Sequence, residues 1–308
     1  MGDKHNHKGH VPSVGSRQLK IALAIVLAIM ALEIVGGILS NSLALLGDAG
    51  HMFVDALALG LSLFAITIAR RPATRTKTYG YHRAEIMAAL ANGTTLVLVS
   101  VYIFYEAYHR FLNPPVVHAP LMIVVAMVGL VANLAGILLL RGASRGNLNI
   151  RAAFWHIVGD TISSVGVIVA GVIISVTGWA IADPLIAVFI GCIILWGAVR
   201  LVSESVNILL EAVPGHIRLD KVVQVIKKVS GVEDVHDIHV WTITSGMHAL
   251  SAHLVIEDQT VSRSGEIVRA INHDLAEHFN IRHTTLQLEC RSCPTGFICE
   301  VDQSGDKL

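Results

Sequence analysis

Two histidine–aspartate pairs stand out in a chain that is otherwise strongly apolar. His51 and Asp55 lie in GDAGHMFVDALALGL, and His156 and Asp160 lie in WHIVGDTISSVG, so the spacing His-x-x-x-Asp occurs twice within the apolar segments. Positions i and i+4 lie on one face of a helix, so each pair presents an imidazole and a carboxylate to the same side. Two such helices that face each other supply two nitrogen and two oxygen ligands. That tetrahedral set suits Zn²⁺ better than Mg²⁺ or Ca²⁺, which prefer more ligands and oxygen only.

A histidine or an aspartate in an apolar helix also serves as a hydrogen-bonded structural group. Ionisable groups at bilayer depth are costly, by about 2.5–3.5 kcal/mol on insertion scales, so they face a cavity or a partner. Two matched pairs in different segments favour a metal site over unrelated structural groups. For Glu33 and Asp48, which lie in the first and second apolar segments, we predict structural or pathway roles rather than direct metal binding.

The segments that carry the two pairs are long enough to cross a membrane. Of the 308 residues, 53% are hydrophobic and 15% are charged, with a net charge of zero, and the mean hydropathy is +0.62. Those values are typical of a polytopic membrane protein and give no argument for a nucleic-acid partner. The polar N-terminus does not resemble a cleaved signal peptide. Runs of about 20 apolar residues predict six transmembrane helices, near 19–39, 43–69, 86–110, 120–140, 152–176 and 180–202.

The linkers between these segments alternate in charge. The linkers at 70–83 and 141–151 hold several arginines, whereas those at 111–119 and 177–183 hold no lysine or arginine. By the positive-inside rule the basic linkers face the cytoplasm. Six spans then place both termini on the cytoplasmic side, and we expect a multi-pass protein of a bacterial inner membrane.

The composition changes after about residue 208. LDKVVQVIKKV and GEIVRAINHDLAEHF repeat apolar residues at helical spacing, while DVHDIHVWTI, HALSAHLVIE and HTTLQLE are typical of strands. The order α-β-β-α-β predicts a small α+β, ferredoxin-like cytoplasmic domain with helices on one sheet face. We therefore divide the chain into a His-containing N-terminal segment (1–18), a six-helix membrane domain (19–207), a cytoplasmic metal-binding and dimerisation domain (208–290) and a Cys-containing tail (291–308).

Several of these features together resemble a known family. The six spans, the two His-x-x-x-Asp pairs, YGYHRAEI at 79–86 and the α+β tail are similar to the cation diffusion facilitator family of metal/proton antiporters, in particular its zinc-exporting subgroup. The resemblance covers about residues 16–290. It implies a homodimer with one transport site per protomer, and it associates a histidine at the position of His51 with zinc preference over cadmium. The transport site that it implies consists of His51, Asp55, His156 and Asp160.

The chemistry of these ligands predicts how transport is driven. A ligand histidine must be neutral and a ligand carboxylate ionised, so metal and protons compete for the same groups. Because the nucleotide-binding pattern GxxxxGK[ST] is absent, we expect export of Zn²⁺, with Cd²⁺ or Co²⁺ as alternatives, in exchange for protons by alternating access. A passive metal channel would use the same residues and stays open as an alternative. An intramembrane zinc protease is disfavoured, since H-E-x-x-H is absent and four protein ligands leave no position for a catalytic water.

The cytoplasmic domain carries further candidate ligands. The resemblance matches His236, His253, Gln287 and Glu289 to metal ligands of the family, although Gln287 stands where some members have histidine. A regulatory zinc site is one interpretation, and solvated sheet residues are the other. His239 and His248 are predicted to lie at the surface.

Cysteines and peripheral histidines offer a weaker metal site. Cys290 and Cys293 form a C-x-x-C pair, which supplies half of a structural zinc site. The missing ligands are expected from the N-terminal histidines His5, His7 and His10, as the resemblance to vesicular members supports. The alternative is a disordered histidine tail with unrelated thiols. His82, with His283, is a further candidate where the membrane and tail domains meet.

Overall fold

A computed structural model describes residues 16–69, 71–140 and 148–290 of the chain. Six long helices come first, and a domain of two helices and three strands follows. The six helices are α1 (Ser16–Ser40), α2 (Leu43–Ala69), α3 (Ala84–Leu112), α4 (Ala119–Leu140), α5 (Leu148–Thr177) and α6 (Ala182–Leu209). They lie where the six apolar segments are predicted. Helix α6 continues past the predicted end at 202, because VSESVNIL contains no proline or glycine to stop it.

Four of these helices have described stretches long and apolar enough to cross a membrane. They are Ala84–Leu112, Ala119–Leu138, Ile157–Thr177 and Ala182–Leu209, and Val26–Ser40 is a shorter apolar stretch. Many large apolar side chains on these helices point outward, more than half exposed, among them Val101, Tyr102, Leu138, Val176 and Trp196. A continuous outward apolar surface on hydrogen-bonded helices matches a hydrocarbon solvent rather than water. The helical part is therefore a membrane domain.

The described residues form two compact units. The first is drawn from Met1–Leu59 and Asn92–Val199, and the second from Gly60–Ala91 and Arg200–Leu308. The first unit has one apolar core, to which α2, α3, α4, α5 and α6 all contribute; its buried side chains include Leu45, Met122, Val167 and Ile190.

The start of α2 is fixed by a carboxylate from a distant helix. Ser42 precedes the helix and accepts a hydrogen bond from the Leu45 N–H at 3.2 Å, which is the usual N-cap arrangement. Asp183 of α6, fully buried, accepts from the Ser42 hydroxyl at 2.6 Å and from the N–H groups of Leu43 at 2.7 Å and Ala44 at 3.2 Å. Two N–H groups that the helix leaves unpaired, those of Leu43 and Ala44, are thereby satisfied from another helix.

The second unit contains the α+β domain in the predicted order. Its elements are α7 (Leu219–Lys227), β1 (Val232–Thr244), β2 (Met247–Ile256), α8 (Val261–Phe279) and β3 (Ile281–Glu289). The sheet order is β1-β2-β3, with β1 and β2 antiparallel and β2 and β3 parallel. Ile226, Ile271 and Leu275 of the helices pack with Leu250 and Leu254 of β2 in one core. The result is a small mixed sheet with amphipathic helices packed against it.

The linker before α3 belongs to this second unit. Glu85, in the first turn of α3, accepts hydrogen bonds from the hydroxyls of Ser245 at 2.8 Å and Thr244, which form the β1–β2 turn. Arg83 pairs with Glu211 at 2.7 Å. Polar contacts therefore tie the start of α3 to the β1–β2 hairpin and the end of the basic linker to Glu211.

Candidate metal centres

The first predicted pair lies on one face of α2. The Nε2 atom of His51 is 3.4 Å from Oδ2 of Asp55, and each side chain is about a quarter exposed, at 23% and 26%. One turn of helix separates the two residues, so their proximity follows from helical geometry alone. An imidazole and a carboxylate, each with some access, are thus presented together, as a two-ligand half-site requires.

Asp160, the carboxylate of the second pair, is buried on α5. Its electrostatic neighbour is Glu33 of α1, which is itself 1% exposed. Oxygen Oε2 of Glu33 and the Ser164 hydroxyl are buried without a hydrogen-bond partner. Gly129 of α4 makes room for this carboxylate, since a Cβ atom there would lie 2.7 Å from Oε1 of Glu33. The polar region around Asp160 is therefore built by three helices and includes residues outside the two predicted pairs.

The four predicted transport ligands are only partly placed by the structure. The side chain of His156 lies outside the described side chains, which on α5 begin at Ile157. Among the described residues, His51, Asp55 and Asp160 do not form a group of three with ligand atoms within 4.8 Å of one another. The four-ligand transport site stays a prediction.

A compact ligand set is present in the α+β domain. His236, His253 and Glu289 each offer one ligand atom, and all three atoms lie within 4.8 Å of one another. Strands β1, β2 and β3 supply one residue each, because His236 pairs with His253 across the antiparallel ladder and Glu289 lies at the end of the neighbouring parallel strand. Two nitrogens and a carboxylate at this spacing match the donor types that Zn²⁺ prefers.

The contacts within this set show what a cation would meet. Nε2 of His236 is 3.2 Å from one Glu289 oxygen, and Nδ1 of His253 is 2.9 Å from the other. His236 is 3% exposed, and neither of its ring nitrogens makes a hydrogen bond, the 3.2 Å approach of Nε2 to Glu289 being an ion-pair contact only. Buried nitrogens of this kind are costly to leave unsatisfied, so the donor set fits a bound cation. Gln287 lies beside it, and its amide donates to Glu289 at 2.8 Å.

The peripheral candidates receive unequal support. His82 and His283 both line one cavity of about 540 Å³, and the His283 ring contacts Tyr79 edge-on, with the ring centroids 5.3 Å apart. Cys290 is exposed and is not in a disulfide. The other members of the proposed cysteine–histidine site lie outside the described residues: His5, His7, His10 and Cys293.

The surface position predicted for His248 is wrong, whereas His239 is exposed as predicted. His248 is 6% exposed, its Nδ1 is 3.1 Å from the Thr242 hydroxyl, and its ring centroid is 5.2 Å from that of His216. Burial, and secondly the charge of His216, lower the pKa of His248 below its ordinary value of 6.5. Met247 begins β2 opposite Thr244, and His248 follows it in the ladder opposite Thr242.

Asp237 was not predicted as a functional residue, yet it lies beside the ligand set. One of its oxygens is 3.7 Å from Nε2 of His253. Strand alternation would turn it away from the face that carries His236. The motif VHD contains Asp237, but only the local backbone shows which way its side chain is directed.

Comparisons with known proteins cover most of the chain. A family model described as the cation efflux transmembrane domain matches residues 19–210, and one described as the cation efflux protein, cytoplasmic domain, matches residues 214–290. The "Cadmium, cobalt and zinc/H(+)-K(+) antiporter" of Bacillus subtilis (strain 168) is 42% identical over 292 residues, which is 94% of this chain and 92% of that protein. The "Metal cation efflux system protein CzcD" of Cupriavidus metallidurans is 41% identical over 95% of this chain and 92% of its own length. The "Zinc transporter ZitB" of Pectobacterium atrosepticum is 37% identical over 94% of this chain and 90% of its own length.

Proposed function

This chain belongs to the cation efflux family of membrane transporters, and from that premise we propose that it exports Zn²⁺ from the cytoplasm in exchange for protons. The observation that carries the proposal is the His51–Asp55 pair, 3.4 Å apart on one face of a largely apolar helix. Relatives that this chain matches over 92% and 90% of their own length are named as a cadmium, cobalt and zinc antiporter and as a zinc transporter, respectively. Cd²⁺ and Co²⁺ are therefore alternative substrates.

The transport site we propose consists of His51, Asp55, His156 and Asp160. The i, i+4 spacing on α2 and the same spacing on α5 support it, because each helix then contributes one nitrogen and one oxygen. Zn²⁺ is the substrate of this site rather than a resident cofactor. Four ligands of these types give the tetrahedral shell that zinc adopts in closed sites.

Exchange follows from competition between the metal and protons for these ligands. Zinc binding from the cytoplasm requires a neutral His51 and ionised carboxylates, so protons are released as the metal binds. When the site opens to the other side, protonation of the same groups expels the metal. A downhill proton gradient then drives zinc outward without nucleotide hydrolysis.

We further propose six membrane spans, with both termini at the cytoplasmic face of a bacterial inner membrane. Six long helices and the alternation of basic and uncharged linkers support this orientation. The functional form is a homodimer, supported by the match of residues 214–290 to a family model that is named ZT_dimer. The set His236, His253 and Glu289 is a regulatory zinc site in this scheme.

The test is zinc transport in sealed vesicles that contain the purified protein. An imposed pH gradient should drive zinc accumulation, and zinc addition should move protons in the opposite direction. Asp160→Ala should lower the zinc rate by more than about a hundredfold, since losing even an outer-shell partner costs about 10–100-fold in metal affinity or activity. Glu266→Ala, at an exposed position on α8, is the control and should leave the rate unchanged.

Two results would contradict the proposal in different ways. Zinc flux that is independent of the pH gradient and moves no protons would indicate a passive channel. Full zinc transport by a folded Asp160→Ala variant would remove that residue from the transport site.

A further inference from the structure

A bulge in β1 places an unusual residue beside the candidate cytoplasmic metal site. The pairing of β1 with β2 shifts register between His236 and His239. Asp237, inside this irregularity, has a φ of 46°, in the left-handed region. Bulges re-aim side chains next to functional sites, and residues held at positive φ persist where the surroundings maintain them.

The carboxylate of Asp237 contacts two histidines. Oδ1 lies 3.0 Å from Nε2 of His239, within hydrogen-bond distance. Oδ2 lies 3.7 Å from Nε2 of His253, about 0.8 Å beyond the length of a charge-assisted hydrogen bond. His239 thus holds one oxygen of the carboxylate while the other is directed at His253.

The two ring nitrogens of His253 therefore face different groups. Nδ1 is 2.9 Å from Glu289 and belongs to the ligand set, whereas Nε2 faces Asp237. A neutral imidazole carries its proton on one nitrogen and a lone pair on the other, and only the lone pair binds a metal. Glu289 lies closer to Nδ1, but a cation bound to the set would take that carboxylate and the Nδ1 lone pair. The Asp237 carboxylate beside Nε2 then favours the form with the proton on Nε2, and it orients the ring as well.

We propose that Asp237 is a positioning residue of the cytoplasmic metal site: it holds His253 with the proton on Nε2, so that Nδ1 is presented to a divalent cation. The inference rests on the proposed metal site at His236, His253 and Glu289 and adds to it which histidine nitrogen binds and what selects it. The backbone conformation at Asp237 is needed for this contact with His253, because a regular strand would direct residue 237 to the opposite face from His236.

The test uses the full chain, purified in detergent with ¹⁵N-labelled histidine. Long-range proton–nitrogen spectra distinguish a metal-bound Nδ1 from a metal-bound Nε2, and the His253 signals are assigned by their loss in His253→Gln. Zinc titration followed on these signals reports this site alone, whatever other sites bind zinc. In the parent protein we expect zinc on Nδ1 and a proton on Nε2.

Two variants separate positioning from a structural role. Asp237→Asn removes the charge and still tolerates positive φ, and Asp237→Gly removes the carboxylate and the backbone strain together. Both should weaken zinc binding at His253 by about 10–100-fold. Asp237→Gly should at the same time leave the hydrogen-exchange protection of β1 and β2 equal or higher, an effect that loss of structure cannot produce.

Glu233→Gln is the matched control, because Glu233 is also a β1 carboxylate but is exposed. Its zinc affinity should stay within about twofold of the parent, as expected for an exposed surface charge. Zinc bound through Nε2 in the parent, or unchanged affinity in both Asp237 variants, would overturn the positioning role while leaving the metal site in place. If zinc does not perturb His253 in the parent at all, both the regulatory site and this inference fall, whereas the transport proposal is untouched.

Discussion

At the scale of single residues, the apolar environment gives each polar side chain of the membrane helices a large effect. His51 and Asp55 share one face of α2, while Asp160 lies near the buried Glu33. Each of these ionisable groups lies among apolar side chains, where few partners can stabilise its charge. A divalent cation and protons are among those partners. In the proposed transport site, the chemistry of these groups determines which ions are accepted.

Replacing His51 tests ion selectivity. His51→Asp exchanges a nitrogen ligand for a harder oxygen and adds a negative charge while keeping four ligands. The harder oxygen suits Mn²⁺, and the imidazole that the family resemblance associates with zinc preference over cadmium is lost, so the ratio of Zn²⁺ to Mn²⁺ or Cd²⁺ transport should fall. The measurement is uptake of each ion into vesicles at a fixed pH gradient, with the parent as reference. An unchanged ratio would show that His51 serves packing and that selectivity depends on other residues.

Replacing His248 tests a pH effect on the α+β domain. Burial and the nearby His216 lower the pKa of His248 below 6.5, so the unfolded state binds a proton more readily than the folded state. The neutral ring of His248 contributes its full stabilisation of the folded state above pH 6.5. This stabilisation is lost as the pH falls below that value towards the lower pKa that His248 has in the folded protein. Hydrogen-exchange protection of β1 and β2 should therefore decrease from about pH 7.5 to about pH 5.5, once intrinsic exchange rates are corrected for.

The control for this prediction is His248→Gln. Glutamine keeps a hydrogen-bonding group next to Thr242 but does not titrate, so the protection of β1 and β2 should depend less on pH than in the parent. Equal pH dependence in the two proteins would assign the effect to another group.

At the scale of elements, the start of α2 depends on a contact between residues 140 positions apart. Asp183 accepts bonds from three donors at this helix start, and Arg110 of α3 lies 3.6 Å from it. The guanidinium of Arg110 also donates to the Asn41 carbonyl at 2.7 Å. The turn between α1 and α2 is thus held by α3 and α6 together, and the turns of α2 that carry His51 and Asp55 follow from it.

Removing this carboxylate should weaken the whole membrane domain. Asp183→Ala leaves the buried N–H groups of Leu43 and Ala44 without their acceptor and removes one of the two carboxylates beside Arg110, which costs about 3–5 kcal/mol for a broken buried pair. Thermal unfolding in detergent should shift to lower temperature, and zinc transport should decrease because α2 is no longer fixed. Glu106→Gln is the matched control, since Glu106 also pairs with Arg110, at 3.0 Å, but is 30% exposed. A cost in Asp183→Ala no greater than in Glu106→Gln would show that the α2 start is held by other contacts.

At the scale of the whole molecule, the proposed orientation in the membrane places the basic linker 71–83 and the α+β domain on the same side. The contacts of Glu85 with Thr244 and Ser245, within one compact unit, agree with that placement. A linker on the opposite side of the bilayer would be unable to make them.

The orientation is tested with single cysteines introduced at 72 and 116 after the four native cysteines are replaced. Pro72 lies in the basic linker, and Val116, in the linker after α3, is 79% exposed. A membrane-impermeant maleimide added to intact cells should label position 116, and position 72 only after permeabilisation. Labelling of position 72 but not of position 116 in intact cells would show that the orientation is the reverse of the one proposed.

The sequence by itself determined those features that depend on local pattern. Runs of apolar residues located six helices, because backbone hydrogen bonds in an apolar medium must be satisfied within the segment. The i, i+4 spacing placed His51 beside Asp55, since helical geometry fixes that distance. Changes of period after residue 208 gave the order α-β-β-α-β, and strand alternation put Gln287 and Glu289 on one face.

The tertiary structure alone decided those features that depend on register and long-range contacts. The bulge at Asp237 breaks the alternation from which side-chain direction is inferred, so its carboxylate lies beside His253 and not on the opposite face. His248 is buried because the partner strand places Thr242 opposite it, and Asp183 reaches the start of α2 because α6 packs there. No local sequence pattern predicts the positions of these three side chains, because each depends on contacts with segments that are distant in the sequence and become neighbours only in the folded chain.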